Sequence, residues 1–254
     1  MTDSDQKNLS GYEQKYATEA GWKYDYSTER TNLKRITDAL GLKPGDAVLE
    51  IGCGEGFHAK ILYDLGFRVT GNEQTEAGIA TGRRQHPLVN YIQGDSLGLL
   101  DILPHEHFDM ILARGHSWWH YQLTADNPRG IDVPGNTRKM FELIKPGGFF
   151  VLRIRTDFSG THPKGSVSNN TRQAYVDLFS PLGQVVYVTD RLGNPLPDDE
   201  AARRSGKSIV IATRKPSPPR ESSPPLDEQV RRRVPHGIRS LHKRVARSWA
   251  EFRR

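Results

Sequence analysis

The chain has 254 residues, a hydrophobic fraction of 35% and a net charge of +6. This length suits one substantial α/β domain with appendages, and the low apolar content indicates that part of the chain lies outside a core. No segment is long and apolar enough to span a bilayer, residues 1–10 lack the hydrophobic run of a secretory signal, and the single cysteine, Cys53, excludes an intrachain disulfide. We therefore expect a soluble, cytoplasmic protein.

Strand-like and helix-like segments alternate along residues 28–213, which predicts an α/β domain with a parallel sheet covered by helices on both faces. Residues 1–27 precede this domain as an N-terminal extension. The predicted helices cover residues 28–40, 58–65, 75–85, 136–144 and 172–179. The predicted strands cover residues 47–51, 67–71, 89–93, 108–113, 149–154, 185–189 and 208–212.

The positive charge is concentrated at the C-terminus. Residues 214–254 contain 12 Lys and Arg against 4 Asp and Glu, a net charge of +8, so the first 213 residues carry −2. Residues 214–235 are rich in Pro, Ser and Arg, a composition typical of an extended linker. Apolar side chains in residues 236–254 recur every three or four positions, which predicts a basic amphipathic helix. They are Ile238, Leu241, Val245, Trp249 and Phe252.

Glycines and carboxylates follow the first three predicted strands. The residues there are EIGCGEG at 50–56, Asn72 and Glu73, and GDS at 94–96. Ligands of an open α/β sheet bind beyond the carboxyl ends of its strands. Acidic residues would repel the pyrophosphate of a dinucleotide, but they favour the sulfonium and ammonium of S-adenosylmethionine. The dinucleotide fingerprint also requires glycine at position 57, which is Phe57, so the pattern predicts S-adenosylmethionine as the cofactor.

These segments resemble the class I S-adenosylmethionine-dependent methyltransferase family. VLEIGCGEG at 48–56 is similar to its motif I, VTGNE at 69–73 to its second-strand motif, GDS at 94–96 to the third, and LIKPGG at 143–148 to the segment that leads into the fifth strand. The resemblance covers roughly residues 32–214. It implies a Rossmann-like, seven-stranded, mostly parallel sheet whose last strand is antiparallel. Asn72 departs from the pattern, since the family usually has an apolar residue there.

The resemblance also implies roles for individual residues. Glu73 is expected to bind the ribose hydroxyls and Asp95 the adenine amino group. Apart from the resemblance, Cys53 is expected to pack beside the cofactor and not to act as a nucleophile, because no paired histidine lies near it in sequence. Alternatively, Glu50 and Asp95 are solvated or helix-capping acids and Glu73 is a surface acid. The expected cofactor-binding residues are Glu50, Gly52, Cys53, Gly54, Gly56, Glu73, Gln74, Asp95, Ser96 and Arg114.

The segment after the fourth strand is the candidate acceptor site. His116 and His120 are candidate general bases, with His120 preferred, and three aromatic residues accompany them: Trp118, Trp119 and Tyr121. These aromatics either line an acceptor pocket or pack beneath a loop, and either histidine is alternatively a surface residue. The segment lacks the Asn/Asp-Pro-Pro-aromatic motif of amino methyltransferases that act on DNA bases and glutamine.

Two segments are candidates for closing this pocket. The first is the aromatic N-terminal extension, where related enzymes often have a lid. The second is the polar loop at 156–170, which follows Arg153 and Arg155; these arginines either hold an anionic acceptor or pair with neighbouring acids. The aromatic residues of the extension are Tyr12, Tyr16, Trp22, Tyr24 and Tyr26.

We expect no metal site, because the sequence has no H-E-x-x-H motif and no cysteine pair, and His105, Glu106 and His107 are typical of a solvated turn. The function that the sequence favours is methyl transfer to an oxygen or nitrogen atom of a small-molecule acceptor. One alternative is an RNA or protein methyltransferase anchored by the basic tail. Another is a catalytically silent protein whose tail recruits a partner or lies on an anionic membrane.

Overall fold

A computed structural model describes residues 3–18, 24–161, 169–205 and 207–218. Its seven-stranded sheet has the order β3-β2-β1-β4-β5-β7-β6. Strand β7 runs antiparallel to both β5 and β6, and the other four strand pairs of the sheet are parallel, as the resemblance implies. The strands are β1 (Ala47–Ile51), β2 (Arg68–Glu73), β3 (Asn90–Gln93), β4 (Phe108–Arg114), β5 (Ile144–Arg155), β6 (Gln184–Thr189) and β7 (Ser208–Arg214).

Helices cover both faces of the sheet, which confirms the predicted Rossmann-like α/β class. Side chains of successive strand residues point to opposite faces, so Leu49 and Ile111 enter one apolar cluster while Val48 and Leu112 enter the other. The α-helices are α1 (Asp3–Ala17), α2 (Tyr26–Ala39), α3 (Phe57–Asp64), α4 (Glu76–Gln85), α5 (Val133–Glu142), α6 (Arg172–Phe179) and α7 (Asp199–Arg204). Short 3-10 helices cover Ser96–Asp101, Ser117–His120 and Ser180–Leu182.

Several element boundaries differ from the predicted ones, and local hydrogen bonds explain two of them. Helix α5 begins at Val133 and not at residue 136, because the Asp132 carboxylate accepts a hydrogen bond from the Gly135 N–H (2.8 Å) and Pro134 occupies the first turn. Strand β7 extends to Arg214, and the Lys215 N–H donates to the Gly148 carbonyl (2.8 Å). The ordered domain therefore continues past residue 213, where the linker was predicted to begin.

The chain divides into two units, Met1–Ser217 and Pro218–Arg254. Almost all of the predicted linker and the whole predicted helix at 236–254 lie outside the described residues. Within the described part of the chain, no helix is both long enough and apolar enough to cross a membrane.

The order of the sheet reverses between β1 and β4, and this reversal positions the candidate site. Crossover connections leave this point in opposite directions, which opens a crevice at the carboxyl ends of the two strands. Glu50 lies near the end of β1 and Arg114 ends β4, while Glu73 ends the neighbouring β2. The predicted cofactor residues are thus brought to one edge of the sheet.

Candidate active site

The loop after β1 has a backbone that only glycine adopts without strain. Gly52 and Gly54 have φ values of 67° and 56°, in the left-handed region. A Cβ added at Gly52 would lie 2.9 Å from the His116 ring, and one at Gly54 would lie 2.6 Å from the Tyr16 hydroxyl. The loop is therefore held closely between side chains from the end of β4 and from α1.

Glu73 organises the glycine loop. One carboxylate oxygen accepts a hydrogen bond from the Gly54 N–H (2.9 Å), and the other accepts from the backbone N–H groups of Gln74 (2.9 Å) and Thr75 (3.0 Å) and from the Thr75 hydroxyl (3.0 Å). The side chain is buried, so the surface-acid alternative is wrong. The Gln74 residue itself is exposed beside this carboxylate.

Asn72 explains how this chain tolerates a polar residue where the family has an apolar one. Its amide nitrogen donates to the Gly94 carbonyl (2.9 Å), and its amide oxygen accepts from the Ser96 hydroxyl (2.9 Å). These bonds tie the end of β2 to the turn after β3. Ser96 is thereby buried, whereas the neighbouring Asp95 remains exposed.

Glu50 is the most deeply buried carboxylate of the site, with 2% of its surface exposed. Burial, reinforced by the charge of Glu73, raises its pKa to about 8, although the charge of Arg114 and a hydrogen bond from the Ala59 N–H oppose this rise. One of its carboxylate oxygens has no hydrogen-bond partner. Glu50 is thus not the solvated acid that the sequence left open, whereas its hydrogen bond from the Ala59 N–H, in the first turn of α3, agrees with the helix-capping alternative.

Cys53 is buried within the glycine loop. Burial, together with the charges of Glu50 and Glu73, raises the pKa of its thiol, so the thiol stays protonated. A Cβ added at Gly71 would lie 2.9 Å from the sulfur atom, which shows how closely the side chain packs against β2. This environment matches the predicted packing role.

Arg114 projects from the end of β4 toward the segment before α2. Its guanidinium donates to the Tyr24 hydroxyl (2.7 Å), and the guanidinium carbon lies 4.1 Å from the centre of the Tyr24 ring. The Nε atom is buried without a hydrogen-bond partner. Arg114 is thus close enough to Glu50 to influence its pKa and retains an unused donor.

His116 and His120 lie at the candidate acceptor site as uncharged imidazoles. Burial lowers the pKa of each to about 4, and the proximity of His120 contributes to the shift at His116. The His116 Nε2 lies 3.3 Å from the Ser96 hydroxyl, and the Nδ1 atoms of both rings are buried without a partner. Since the His116 ring also contacts Gly52, it connects the cofactor loop with the acceptor side.

The two tryptophans of this segment belong to the core and do not line an open pocket. Trp119 is fully buried, and its indole N–H donates to the Thr137 hydroxyl (3.1 Å). Trp118 is buried beside it, with ring centres 5.6 Å apart. Tyr121 is only partly buried, and the Arg129 guanidinium lies 5.3 Å from its ring centre. Of the three aromatics, Tyr121 alone remains a candidate acceptor contact.

The N-terminal extension contains α1, which the sequence did not predict as a helix. Tyr16 is buried against the glycine loop and stacks on Tyr12, with ring centres 6.3 Å apart. The Glu13 carboxylate accepts a hydrogen bond from the Ala77 N–H (2.8 Å) in the first turn of α4. Helix α1 therefore packs against the glycine loop and against α4, while Trp22 lies outside the described residues.

The second candidate lid is described only at its ends, because residues 162–168 lie outside the described part. The Asn170 amide donates to the Tyr121 carbonyl (2.9 Å), which joins the end of this loop to the acceptor segment. Arg153 does not face an acceptor: its guanidinium pairs in a bidentate manner with Glu29. Arg155 is exposed.

Glu29, His58 and Arg153 form a buried polar network beneath the site, which was not predicted from the sequence. Glu29 and His58 lie on α2 and α3 at positions that share a helical face with apolar residues such as Leu33 and Ile61. A titratable residue on an apolar face is a signal that would have identified both.

Elsewhere, a cavity of about 680 Å³ lies between the loop at 122–126 and helices α5 and α6, and none of the predicted cofactor residues lines it. Among the described residues, no group of three or more Cys, His, Asp and Glu side chains is arranged to hold a metal ion.

Comparison with known proteins finds a family model that matches part of the chain. Residues 49–152 match the model of the methyltransferase-domain family. A Mycolicibacterium smegmatis protein named probable S-adenosylmethionine-dependent methyltransferase is 30% identical over 111 residues, which are 42% of this chain and 37% of that protein. The chain therefore spans little more than a third of that relative. These matches give residues 49–152 a methyltransferase domain and are consistent with the class I S-adenosylmethionine-dependent methyltransferase family.

Solved structures share the fold of this methyltransferase domain. One is a Clostridium acetobutylicum S-adenosylmethionine-dependent methyltransferase, at 11% identity and a TM-score of 0.58, with 77% of this chain and 94% of that chain covered. Another is the Burkholderia thailandensis 1,6-didemethyltoxoflavin-N1-methyltransferase with 1,6-didemethyltoxoflavin and S-adenosylhomocysteine bound. It has 16% identity and a TM-score of 0.58, with 85% of this chain and 92% of that chain covered.

The cofactor of the methyltransferase domain is S-adenosylmethionine, and the described residues fit it. Three residues of the loop, Gly52, Gly54 and Gly56, have no Cβ and adopt positive φ, and the buried Glu50 carboxyl oxygen without a partner provides an acceptor for a cationic group. Asp95 leaves an exposed carboxylate at the end of β3. These features suit a ligand that carries positive charge and no phosphate.

Proposed function

We propose that this domain transfers the methyl group of S-adenosylmethionine to an oxygen or nitrogen atom of a small-molecule acceptor. The sulfonium supplies the methyl group, so the residues of the chain have to bind and align the acceptor and, where it carries a proton, remove that proton. The observation that carries the proposal is the pair of uncharged imidazoles at His116 and His120, of which His116 lies against Gly52 of the glycine loop. Each has a buried nitrogen without a partner, which can bind an acceptor N–H or O–H.

Within this proposal, His120 is the general base and His116 orients the acceptor. The His116 ring already contacts the Ser96 hydroxyl and Gly52. The His120 ring has no comparable contact among the described residues, and its Nδ1 has no hydrogen-bond partner. Because burial lowers both pKa values to about 4, both rings are in the basic form above roughly pH 5. We therefore expect no imidazole ionisation in the pH profile of kcat between pH 6 and 8.

Two further observations support a small acceptor. The first 213 residues carry a charge of −2, which gives no broad attraction to nucleic acid. The structurally similar Burkholderia thailandensis protein is named for a small heterocyclic acceptor. The single cysteine suits a reducing environment, so we retain the cytoplasm as the expected compartment.

The test is an acceptor screen with the purified full chain, in which formation of S-adenosylhomocysteine is measured. With an acceptor in hand, His120→Gln is expected to lower kcat by about 10²–10⁴-fold, because a positioned base contributes that much, and to leave the Kd of the cofactor unchanged. The matched control is His107→Gln. The His107 imidazole is exposed and directly precedes the first residue of β4, at the end of the strand far from the site. Turnover as fast in His120→Gln as in the wild type would contradict the assigned base.

The main alternative is an RNA or protein methyltransferase anchored by the basic tail. It is tested by truncation after Ser217, which keeps the backbone pairing of Lys215 with Gly147 and Gly148. Unchanged turnover without salt-sensitive RNA binding in the full chain would eliminate the anchoring arm. If S-adenosylmethionine binds and no acceptor in the small-molecule, RNA and protein classes is methylated, the silent-scaffold alternative is favoured.

A further inference from the structure

The buried network beneath Glu50 joins four elements of the fold. The Glu29 carboxylate on α2 accepts two hydrogen bonds from the Arg153 guanidinium on β5, one of them 3.0 Å long. The same carboxylate lies 3.1 Å from Nε2 of His58 at the start of α3. The other ring nitrogen of His58, Nδ1, lies 3.8 Å from a carboxyl oxygen of Glu50. Glu29, His58, Glu50 and Arg153 are all buried.

These contacts determine which nitrogen of His58 carries the proton. Burial alone would raise the pKa of Glu29, but the hydrogen bonds from His58 and Arg153 and the charge of Arg153 hold that pKa far below its ordinary value. Glu29 is therefore an anion that only accepts, and His58 donates to it from Nε2. Burial lowers the pKa of His58 to about 4, so the ring is neutral and Nδ1 presents a lone pair.

An ionised Glu50 does not suit this arrangement. Its carboxylate would face the Nδ1 lone pair, and its second oxygen would be buried without any donor. A protonated carboxyl removes the first conflict, because its O–H can point toward Nδ1. It also reduces the second, because a neutral oxygen costs less to bury without a donor than a charged one. The burial that raises the pKa of Glu50 to about 8 acts in the same direction.

We propose that His58, fixed by Glu29 and Arg153, is a positioning residue that keeps Glu50 protonated in the cofactor-free protein, and that Glu50 releases this proton to solvent when a cationic group of S-adenosylmethionine reaches it. The bond that breaks is the carboxyl O–H, and the positive charge of the ligand replaces the positive charge of the proton. The inference rests on the assignment of Glu50 to the cofactor site.

The charged and titratable groups around Glu50 are consistent with this exchange. Arg114 at the end of β4 favours the anion, whereas Glu73 at the end of β2 disfavours it. The Cys53 thiol is protonated and adds no charge. Beyond His58, the charges of Glu29 and Arg153 pair with each other. A ligand cation is therefore needed to make the buried Glu50 anion favourable.

The experiment is titration calorimetry of the full chain with S-adenosylmethionine at pH 7, in two buffers with different ionisation enthalpies. The difference in observed heat gives the number of protons released, which we expect to be close to one per cofactor bound. Glu50→Gln is the control, because its neutral amide cannot release a proton. Subtracting its count also removes the contribution of the amino group of the cofactor, which titrates in the same range.

The pH dependence of affinity provides a second readout. Because binding requires the Glu50 proton to leave, the Kd is expected to fall about tenfold from pH 6 to pH 7 and to level off above pH 8. Glu50→Gln is expected to bind the cofactor with a higher Kd, and this Kd is expected to lack the tenfold fall between pH 6 and pH 7. Release with both S-adenosylmethionine and S-adenosylhomocysteine assigns the ammonium as the displacing cation, and release with S-adenosylmethionine alone assigns the sulfonium.

The role of His58 is tested by His58→Asn, whose amide can donate to Glu50 from near the Nδ1 position. Glu50 is then ionised before the cofactor arrives, so proton release is expected to be lost while binding persists. His86→Asn, at an imidazole that follows α4, is the matched control and should keep the wild-type count. In the wild type, nitrogen NMR should report His58 as neutral and protonated at Nε2, a measurement that needs no variant.

The failure of this inference differs from failure of the proposed function. Cofactor binding by the wild type with a proton count near zero, relative to Glu50→Gln, would overturn the proton exchange and leave the cofactor site intact. An unchanged count in His58→Asn would show that His58 has only a packing role. Absence of binding by well-folded wild type would remove the cofactor site itself.

Discussion

Asp95 and Glu73 end adjacent parts of the same sheet edge, yet their surroundings differ. Glu73 accepts hydrogen bonds from the Gly54 N–H and from the turn at Gln74 and Thr75, so its carboxylate holds the loop together before any ligand is present. Asp95 is exposed beside a buried Ser96. Substitution of Glu73 is therefore expected to disturb the loop as well as the predicted ribose contact, whereas substitution of Asp95 tests mainly its predicted contact with the ligand.

Asp95→Asn is expected to weaken S-adenosylmethionine binding by roughly tenfold or more, because a hydrogen bond to a charged group contributes about 1.5–3 kcal/mol. Calorimetric titration measures this change. Asp101→Asn is the matched control, since Asp101 is an exposed acid at the other end of the same 3-10 helix. Equal weakening in both variants would indicate a general charge effect and contradict a direct role for Asp95.

At the scale of elements, helix α1 contacts both α4 and the glycine loop. The Glu13 carboxylate binds the N-terminal turn of α4, while Tyr16 packs on the glycine loop at Gly54. Under the hypothesis that α1 is a lid, a cofactor bound in the loop has to leave past this helix or displace it. We therefore expect the contacts of α1 to affect the rate of cofactor release.

Tyr16→Ala is expected to raise the dissociation rate of S-adenosylhomocysteine by about tenfold, because truncation of a buried aromatic at an interface removes more than 1 kcal/mol of contact. Stopped-flow fluorescence of the tryptophans can follow the release. Tyr12→Ala is the control, because Tyr12 stacks on Tyr16 from an exposed position. If Tyr16→Ala lowers Tm and leaves the dissociation rate unchanged, α1 is structural packing and not a lid.

The predictability of each element follows from where its stabilising contacts lie. Strands β1 and β4 are mostly apolar, with all of β1 and most of β4 buried, and the sequence therefore predicted them well. Helix α7 is short and held by the Asp198 cap, and α1 is largely polar, so neither has an apolar period to detect. Likewise, the predicted cofactor residues directly follow strands in the sequence and could be found from it. The Glu29–Arg153 pair joins residues 124 positions apart, so it can be recognised only once the fold is known.

For the whole molecule, the buried Glu50 carboxyl represents a cost to stability that serves the site. Its pKa is raised from an ordinary value of 4.5 to about 8, so the folded protein keeps a proton that the unfolded chain loses. The contribution of Glu50 to stability therefore falls as pH rises from about 4.5 to about 8, and it changes little above that. Functional sites commonly retain such costs because removing them impairs function.

Glu50→Gln is accordingly expected to stabilise the cofactor-free protein at pH 8, by up to a few kcal/mol, and to have an effect below about 1 kcal/mol at pH 5. Denaturant unfolding at the two pH values measures the difference. Gln85→Glu, at the exposed end of α4, is the control: it shows how much the free energy of unfolding changes when an amide and a carboxylate are exchanged on the surface. An effect of Glu50→Gln that is the same at both pH values would mean that Glu50 ionises normally in the folded state.

The burial of Cys53 gives the protein an intrinsic reporter. As the only cysteine of the chain, it lies inside the glycine loop, and its thiol is shielded from solvent. A thiol reagent can modify it only during moments when the loop opens, so the labelling rate measures opening directly and without an introduced probe. Labelling that slows as S-adenosylhomocysteine is added would follow occupancy of the loop in real time, even in variants that have lost all turnover.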